Sequence, residues 1–143
     1  MSGTLLSLGH GYTARALARR LGPGWRVVGT TRSEEKAARL AEDGVEPRVW
    51  PGVDLAPDIA EATHILASAG PGEEGDPVLP LLGAALRNAR PLWVGYLSTT
   101  GVYGDHGGGW VDEETPLTPG TERGRRRVLA EDQWRDLAAQ AGW

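Results

Sequence analysis

Three clusters of residues in this chain have the types and spacing to do chemistry. The first is Gly9-His10-Gly11-Tyr12-Thr13-Ala14, a glycine-spaced turn that follows an apolar run and feeds a helix-forming stretch. Glycines there let a ligand phosphate approach backbone N–H groups at the positive end of a helix, because a side chain would hold it away. The second is Gly29-Thr30-Thr31-Arg32-Ser33. An arginine at a helix start is unfavourable without an anion beside it. Its guanidinium and the hydroxyls of Thr31 and Ser33 suit the 2′-phosphate of a dinucleotide. No Asp or Glu stands there to accept from both ribose hydroxyls, so NADP is expected in preference to NAD. The third is Ser98-Thr99-Thr100-Gly101-Val102-Tyr103-Gly104, three hydroxyl residues ahead of a Gly-Val-Tyr-Gly turn. Hydroxyls at the carboxyl end of a strand can hydrogen-bond a substrate carbonyl or hydroxyl.

Weaker signals lie along the same path. Asp54-Leu55 follows a short strand and could flank an adenine, and Ser68-Ala69-Gly70 is small enough for a nucleotide to lie against its backbone. A plain loop accounts equally well for each. Arg123, Arg125, Arg126 and Arg127 form a basic run, but helical geometry spreads it over several faces, with Glu122, Glu131 and Asp132 nearby. That is the pattern of a solvated face. His10 needs only a backbone role inside its turn.

The elements that must position these residues follow from hydrophobic spacing. Residues 4–8 read as a buried strand, and Ala14, Leu17, Ala18 and Leu21 recur at helical spacing opposite Arg15, Arg19 and Arg20. Gly22-Pro23-Gly24 breaks the chain, residues 25–30 form a second strand, and Ser33 N-caps a helix whose apolar face is Ala37, Ala38, Leu40 and Ala41. A third strand covers residues 45–50, a weak helix residues 59–62, and a fourth strand residues 64–68. After a loop at residues 69–75, Asp76 is expected to cap a helix with Pro77 at its first position. A fifth strand covers residues 92–97, a polar loop runs from Thr100 to about Gly120, and a charged helix spans residues 121–141. Gly142 reads as the residue ending that helix and Trp143 as the start of another strand. Alternating apolar strands and helices predict an α/β fold: a Rossmann, doubly wound parallel sheet of order 3-2-1-4-5. Ligand is then expected at the carboxyl ends of the strands.

Composition narrows the classes. The 143 residues suffice for one domain. A net charge of −4 creates no general field for nucleic acid or an anionic membrane, and the absence of cysteine removes disulfides, thiolate metal sites and cysteine nucleophiles. The three histidines, His10, His64 and His106, lack metal-ligand spacing, and no apolar segment is long enough to span a bilayer. A cytoplasmic protein that takes a small-molecule substrate, with no nucleic-acid or membrane partner, is the expectation.

Taken together, the glycine turn and the third cluster resemble the extended short-chain dehydrogenase/reductase superfamily, in particular its NAD-dependent epimerase/dehydratase type and its atypical relatives. Residues 98–104 match that superfamily's Ser-Ser/Thr-x-x-Val-Tyr-Gly stretch. Val111-Asp112-Glu113-Glu114-Thr115-Pro116-Leu117-Thr118-Pro119 matches the acidic, twice-proline loop that follows it. The resemblance covers essentially the whole chain and corresponds to the amino-terminal part of such a protein, a single NAD(P)-binding domain over residues 1–143, so a fragment without the carboxyl-terminal strands and substrate lobe is expected. It implies that Gly9, Gly11, Tyr12, Thr13 and Ala14 hold the pyrophosphate, that Thr31 and Arg32 hold the 2′-phosphate, and that Asp54, Leu55, Ser68 and Ala69 flank the nucleotide. It implies that Thr99 orients and polarises substrate. The family's Tyr-x-x-x-Lys pair aligns with Arg123 and Arg127. Arginine cannot serve as a proton donor at neutral pH, its pKa being roughly 12 or higher, which leaves Tyr103 as a conceivable acid and Arg127 as a contact for ribose or phosphate. The glycine turn departs from the family too, with Leu8 and Ala14 at the outer glycine positions. An oxidoreductase or epimerase on a small hydroxyl, carbonyl or sugar-like substrate is implied; the alternative is a non-catalytic NADP-binding sensor or partner-binding module. The resemblance also implies a homodimer through the helix at residues 121–141.

Overall fold

The computed structural model describes residues 2–143. Five strands form one sheet: β1 (Gly3–Leu8), β2 (Trp25–Thr31), β3 (Glu46–Val49), β4 (His64–Ala67) and β5 (Trp93–Tyr96). All pairings are parallel and the order is β3-β2-β1-β4-β5, as expected from the strand–helix alternation. The first strand is central, with Leu6 opposite both Val28 and Ile65. Helices α1 (Tyr12–Leu21), α2 (Glu34–Glu42), α3 (Ala56–Glu61), α4 (Leu79–Asn88) and α5 (Glu122–Ala141) complete the fold, with a single 3-10 turn at Thr100–Val102.

Alternating side chains divide the interior into two cores. Leu6, Leu8, Val28 and Ile65 face α3, α4 and α5 through Leu55, Ile59, Leu82, Leu86, Trp134 and Leu137. On the other face Leu5, Val27 and Leu66 meet Ala14, Leu17 and Leu40 from α1 and α2. β1 is buried on both faces over its last four residues, which is why its sequence is apolar without alternation. Two helix starts are set by hydroxyls: Ser33 Oγ accepts from Lys36 N at 3.1 Å, and Thr121 Oγ1 accepts from Gly124 N at 3.0 Å.

The fourth helix corrects the reading around Pro77. It begins at Leu79 with Val78 at its N-cap, and Pro80 occupies the first turn. Asp76 nonetheless caps the chain there: its Oδ1 accepts from Val78 N (2.8 Å) and Leu79 N (3.2 Å), while Oδ2 accepts from Trp134 Nε1 (2.8 Å). The carboxylate is only 2% exposed and ties the start of α4 to the middle of α5. At the other end of the chain Gly142 adopts a left-handed conformation (φ 78°, ψ 34°) and ends α5 as expected, and Trp143 follows it. Its N–H returns to Ala138 O at 3.1 Å, and its indole donates to Ala89 O at 3.3 Å. The weak third helix also lies earlier than the sequence suggested, because Asp54 Oδ1 accepts from Ala56 N (2.9 Å) and starts the turn there.

Candidate functional site

The turn between β1 and α1 is shaped by its backbone. Gly9 has φ +91°, and a Cβ there would lie 2.9 Å from the Ala69 amide nitrogen, so both conformation and space call for glycine. Its N–H donates to Thr30 Oγ1 (2.7 Å) and its carbonyl accepts from Ser68 Oγ (2.5 Å), which joins the carboxyl ends of β1, β2 and β4 at one residue. Gly11 differs. It is the N-cap of α1, no side chain caps the helix, and a Cβ at Gly11 would meet nothing within 4 Å. The N–H groups of Tyr12, Thr13 and Ala14 have no intrahelical acceptor and lie at the positive end of the helix dipole. An approaching phosphate fits that cradle. Ala14 contributes only its backbone, since its side chain is 1% exposed in the α1 core, while Tyr12 is 91% exposed.

His10 is more than a backbone element. Its N–H donates to Thr30 O at 3.0 Å, and its ring packs on Gly29, where a Cβ would come within 2.9 Å of the imidazole. Both ring nitrogens are buried without a hydrogen-bond partner among the described residues. Desolvation lowers its pKa below the ordinary 6.5, the Arg15 charge acts in the same direction, and Asp43 opposes them.

At the end of β2, Thr31 Oγ1 accepts from Ser33 N at 3.4 Å. Arg32 is exposed and joins none of the ion pairs among the described residues, in contrast to Arg15, Arg26 and Arg48. The chain thus presents a free guanidinium one residue ahead of the N-cap of α2. Of the residues expected along the nucleotide, Asp54 is exposed and Ser68 and Ala69 abut Gly9. Leu55 is 0% exposed, its side chain packed in the core with Leu6 and Leu8, so that it offers a ligand its main chain.

Thr99 lies just beyond β5. Its Oγ1 accepts from Gly101 N at 3.3 Å, so the hydroxyl hydrogen is left to donate elsewhere. The Tyr103 carbonyl accepts from Thr118 Oγ1 (2.6 Å) and His106 Nε2 (2.9 Å), and its half-buried phenol makes no hydrogen bond among the described residues. Gly104 has φ +77°, and a Cβ there would lie 2.0 Å from Thr118 O, which is the physical reason the turn ends in glycine. The first turn of α5 rests directly on this segment: a Cβ on Gly124 would come within 2.8 Å of Gly101 O.

Two features of α5 depart from a solvated face. Glu131, whose side chain is 12% exposed, accepts a short hydrogen bond from Ser98 Oγ, so the first hydroxyl of the cluster is an anchor between β5 and α5. Arg127 is half-buried: its Nη1 donates to Leu97 O (2.7 Å), and its guanidinium carbon lies 5.7 Å from the centre of the Tyr96 ring. Burial raises the Tyr96 pKa, and the nearby Arg127 charge and hydrogen bond oppose that rise. Arg125 and Arg126 behave as expected and pair with Glu122. Neither Glu131 nor Arg127 was separable from the basic run by spacing alone, because their partners lie about thirty residues away in sequence.

The acidic loop has a structural account as well. Asp112 Oδ1 accepts from Glu114 N and Thr115 Oγ1, each at 3.1 Å, and so closes a local turn. Among the described residues no helix is long and apolar enough to cross a membrane.

No protein-family model and no curated protein matches the chain. Solved structures do. A conserved protein of unknown function from Silicibacter pomeroyi superposes with a TM-score of 0.89 at 54% identity, over 95% of this chain and 50% of that one. The UDP-glucuronic acid 4-epimerase of Bacillus cereus, solved in complex with NAD, gives a TM-score of 0.74 at 16% identity over 95% of this chain and 52% of its own. The UDP-N-acetylglucosamine 4-epimerase of Methanobrevibacter ruminantium gives 0.74 at 12% identity, over 99% and 52%. The chain therefore has a Rossmann-like fold, with the parallel strand order β3-β2-β1-β4-β5, shared with these NAD-bound and sugar-nucleotide epimerases. It spans about half the length of these structures.

Proposed function

We propose that this chain binds a nicotinamide dinucleotide along the carboxyl edge of its sheet, NADP in preference to NAD. In this reading it serves a short-chain dehydrogenase/reductase-like oxidoreductase or epimerase acting on a small hydroxyl, carbonyl or sugar-like substrate. The observation that carries the reading is the Gly9–Gly11 pair: Gly9 is held in a conformation for glycine against Ala69, and Gly11 leaves the uncapped start of α1 open. The fold of the NAD-bound Bacillus cereus epimerase supports the same placement.

The residues divide the work by position. Tyr12, Thr13 and Ala14 offer backbone N–H groups to the pyrophosphate, and Gly11 gives it room. Arg32, with Thr31 and Ser33, offers donors to a 2′-phosphate. Ser68 and Ala69 form the floor between the turn and β5, with Asp54 at the adenine end. A bound nicotinamide supplies a hydride acceptor or donor. Thr99 donates its free hydroxyl hydrogen to the substrate oxygen, and the Tyr103 phenol, on the turn that follows it, is the acid that can exchange a proton, since Arg123 cannot.

The second reading, an NADP-binding sensor or partner-binding module without turnover, is favoured by the arginines at the places expected for tyrosine and lysine. Titration with NADPH and NADH, followed by tryptophan fluorescence, tests both readings. Saturable binding with NADPH tighter is expected, and failure to bind either nucleotide refutes both. Hydride exchange with a carbonyl and sugar-nucleotide panel, in the wild type and in Thr99→Ala, then separates enzyme from module. A reaction lost in the variant supports the enzyme; bound NADPH with no reaction supports the module.

A further inference from the structure

A cavity of ≈ 490 Å³ opens between the loop after β4 and the first turns of α5, lined by Gly70, Pro71, Glu122, Arg123, Arg126 and Arg127. Its charges do not balance. Glu122 is its one acid and already pairs with Arg125 and Arg126, each at 3.2 Å; Arg126 also reaches Glu73 at 3.3 Å. Arg123 and Arg127 join none of the ion pairs among the described residues. Four residues apart on α5, they share one face of the helix.

Arg127 is not a loose surface cation. It is pinned by Leu97 O and by the Tyr96 ring and hydroxyl, and its Nε is buried with no hydrogen-bond partner among the described residues. A neutral carbonyl and a ring face offset only part of the cost of desolvating a guanidinium. An oxyanion entering the cavity supplies the counter-charge that is missing, and the exposed Arg123 stands one turn away to share it. The loop that forms the opposite wall starts at Ser68 and Ala69, which touch Gly9, so the cavity continues the edge that holds the dinucleotide.

We propose that Arg123 and Arg127 together bind an anionic group of the substrate, a carboxylate or phosphate, where the resemblance expects a proton-transferring tyrosine and lysine. The proposal rests on the dinucleotide reading for the role of the site, and its anion chemistry is testable apart from it. A phosphate of the dinucleotide has the same chemistry, so the test must tell the two sources apart.

The probe is inorganic phosphate, titrated at constant ionic strength against the chain with and without saturating NADPH and followed by the NMR signals of the arginine Nε–H groups. Saturable phosphate binding that shifts the Arg127 signal in the NADPH-saturated protein is expected. Affinity should fall about tenfold or more in Arg123→Gln, an exposed site whose change leaves folding intact, and stay unchanged in Arg125→Gln. No saturable effect in the wild type, or equal affinity in Arg123→Gln, overturns the proposal. Competition between phosphate and NADPH assigns the arginines to the dinucleotide and overturns the substrate assignment. If phosphate binds through Arg123 while NADPH does not bind at all, the anion site stands and the dinucleotide reading fails.

Discussion

Replacing Gly11 by alanine separates the nucleotide site from the stability of the fold. Gly11 has φ −97° and ψ −155°, extended backbone that any residue adopts, and an added methyl would touch nothing within 4 Å. The folded state therefore loses only N-cap preference, about 0.5–1 kcal/mol. A bound phosphate is affected far more, because the methyl stands where its oxygens must come within about 3 Å of the amides of Tyr12 and Thr13. Two charge-assisted hydrogen bonds at roughly 1.5 kcal/mol each amount to about 3 kcal/mol, or roughly a hundredfold in Kd. NADPH titration by tryptophan fluorescence, alongside urea denaturation of the same sample, reads both quantities. Gly9→Ala is the contrast: φ +91° and a Cβ 2.9 Å from Ala69 N predict a loss of stability as well as binding. An unfolding curve near wild type with Kd raised about a hundredfold is the expected outcome for Gly11→Ala. Undiminished NADPH affinity in that variant would refute the placement of the pyrophosphate.

Three more outcomes follow from the geometry. Arg32→Ala should weaken NADPH about tenfold or more in a direct titration while leaving NADH unchanged, since only the former carries the phosphate that Arg32 would meet; an equal effect on both removes the basis for NADP. Asp76→Ala leaves three N–H donors unpaired, two of them buried, and should cost about 3–5 kcal/mol by urea denaturation, whereas Asp76→Asn keeps one oxygen and should cost less; a loss under about 1 kcal/mol for the alanine variant contradicts the tie between α4 and α5. The pKa of His10 is lowered in the folded state, so the unfolded chain binds more protons below the ordinary value of 6.5, and stability falls as pH drops through that value toward the folded pKa. His10→Phe fills the same space without buried, unpartnered nitrogens. Its urea midpoint should be flatter than the wild type's between about pH 7.5 and about pH 5.5, and an unchanged slope would place the effect elsewhere.

What the sequence by itself determined is what repeats over short distances. The apolar runs, the breaks at glycine and proline, and the hydroxyl cap at Ser33 specified the strands and helices, and right-handed crossovers specified their order. The Gly9–Ala14 turn was legible for the same reason, because its glycines and the helix start that follows are consecutive in the chain. Tertiary structure decided what depends on partners far along the chain. It buried the Leu55 side chain in the core, put the His10 ring on Gly29, and showed that Asp76 caps α4 while holding Trp134, fifty-eight residues away. It also divided the basic run of α5, neutralising Arg125 and Arg126 through Glu122 and leaving Arg123 and Arg127 without a carboxylate among the described residues. Spacing along a helix tells which arginines share a face. Only packing tells which of them still lack a counter-ion.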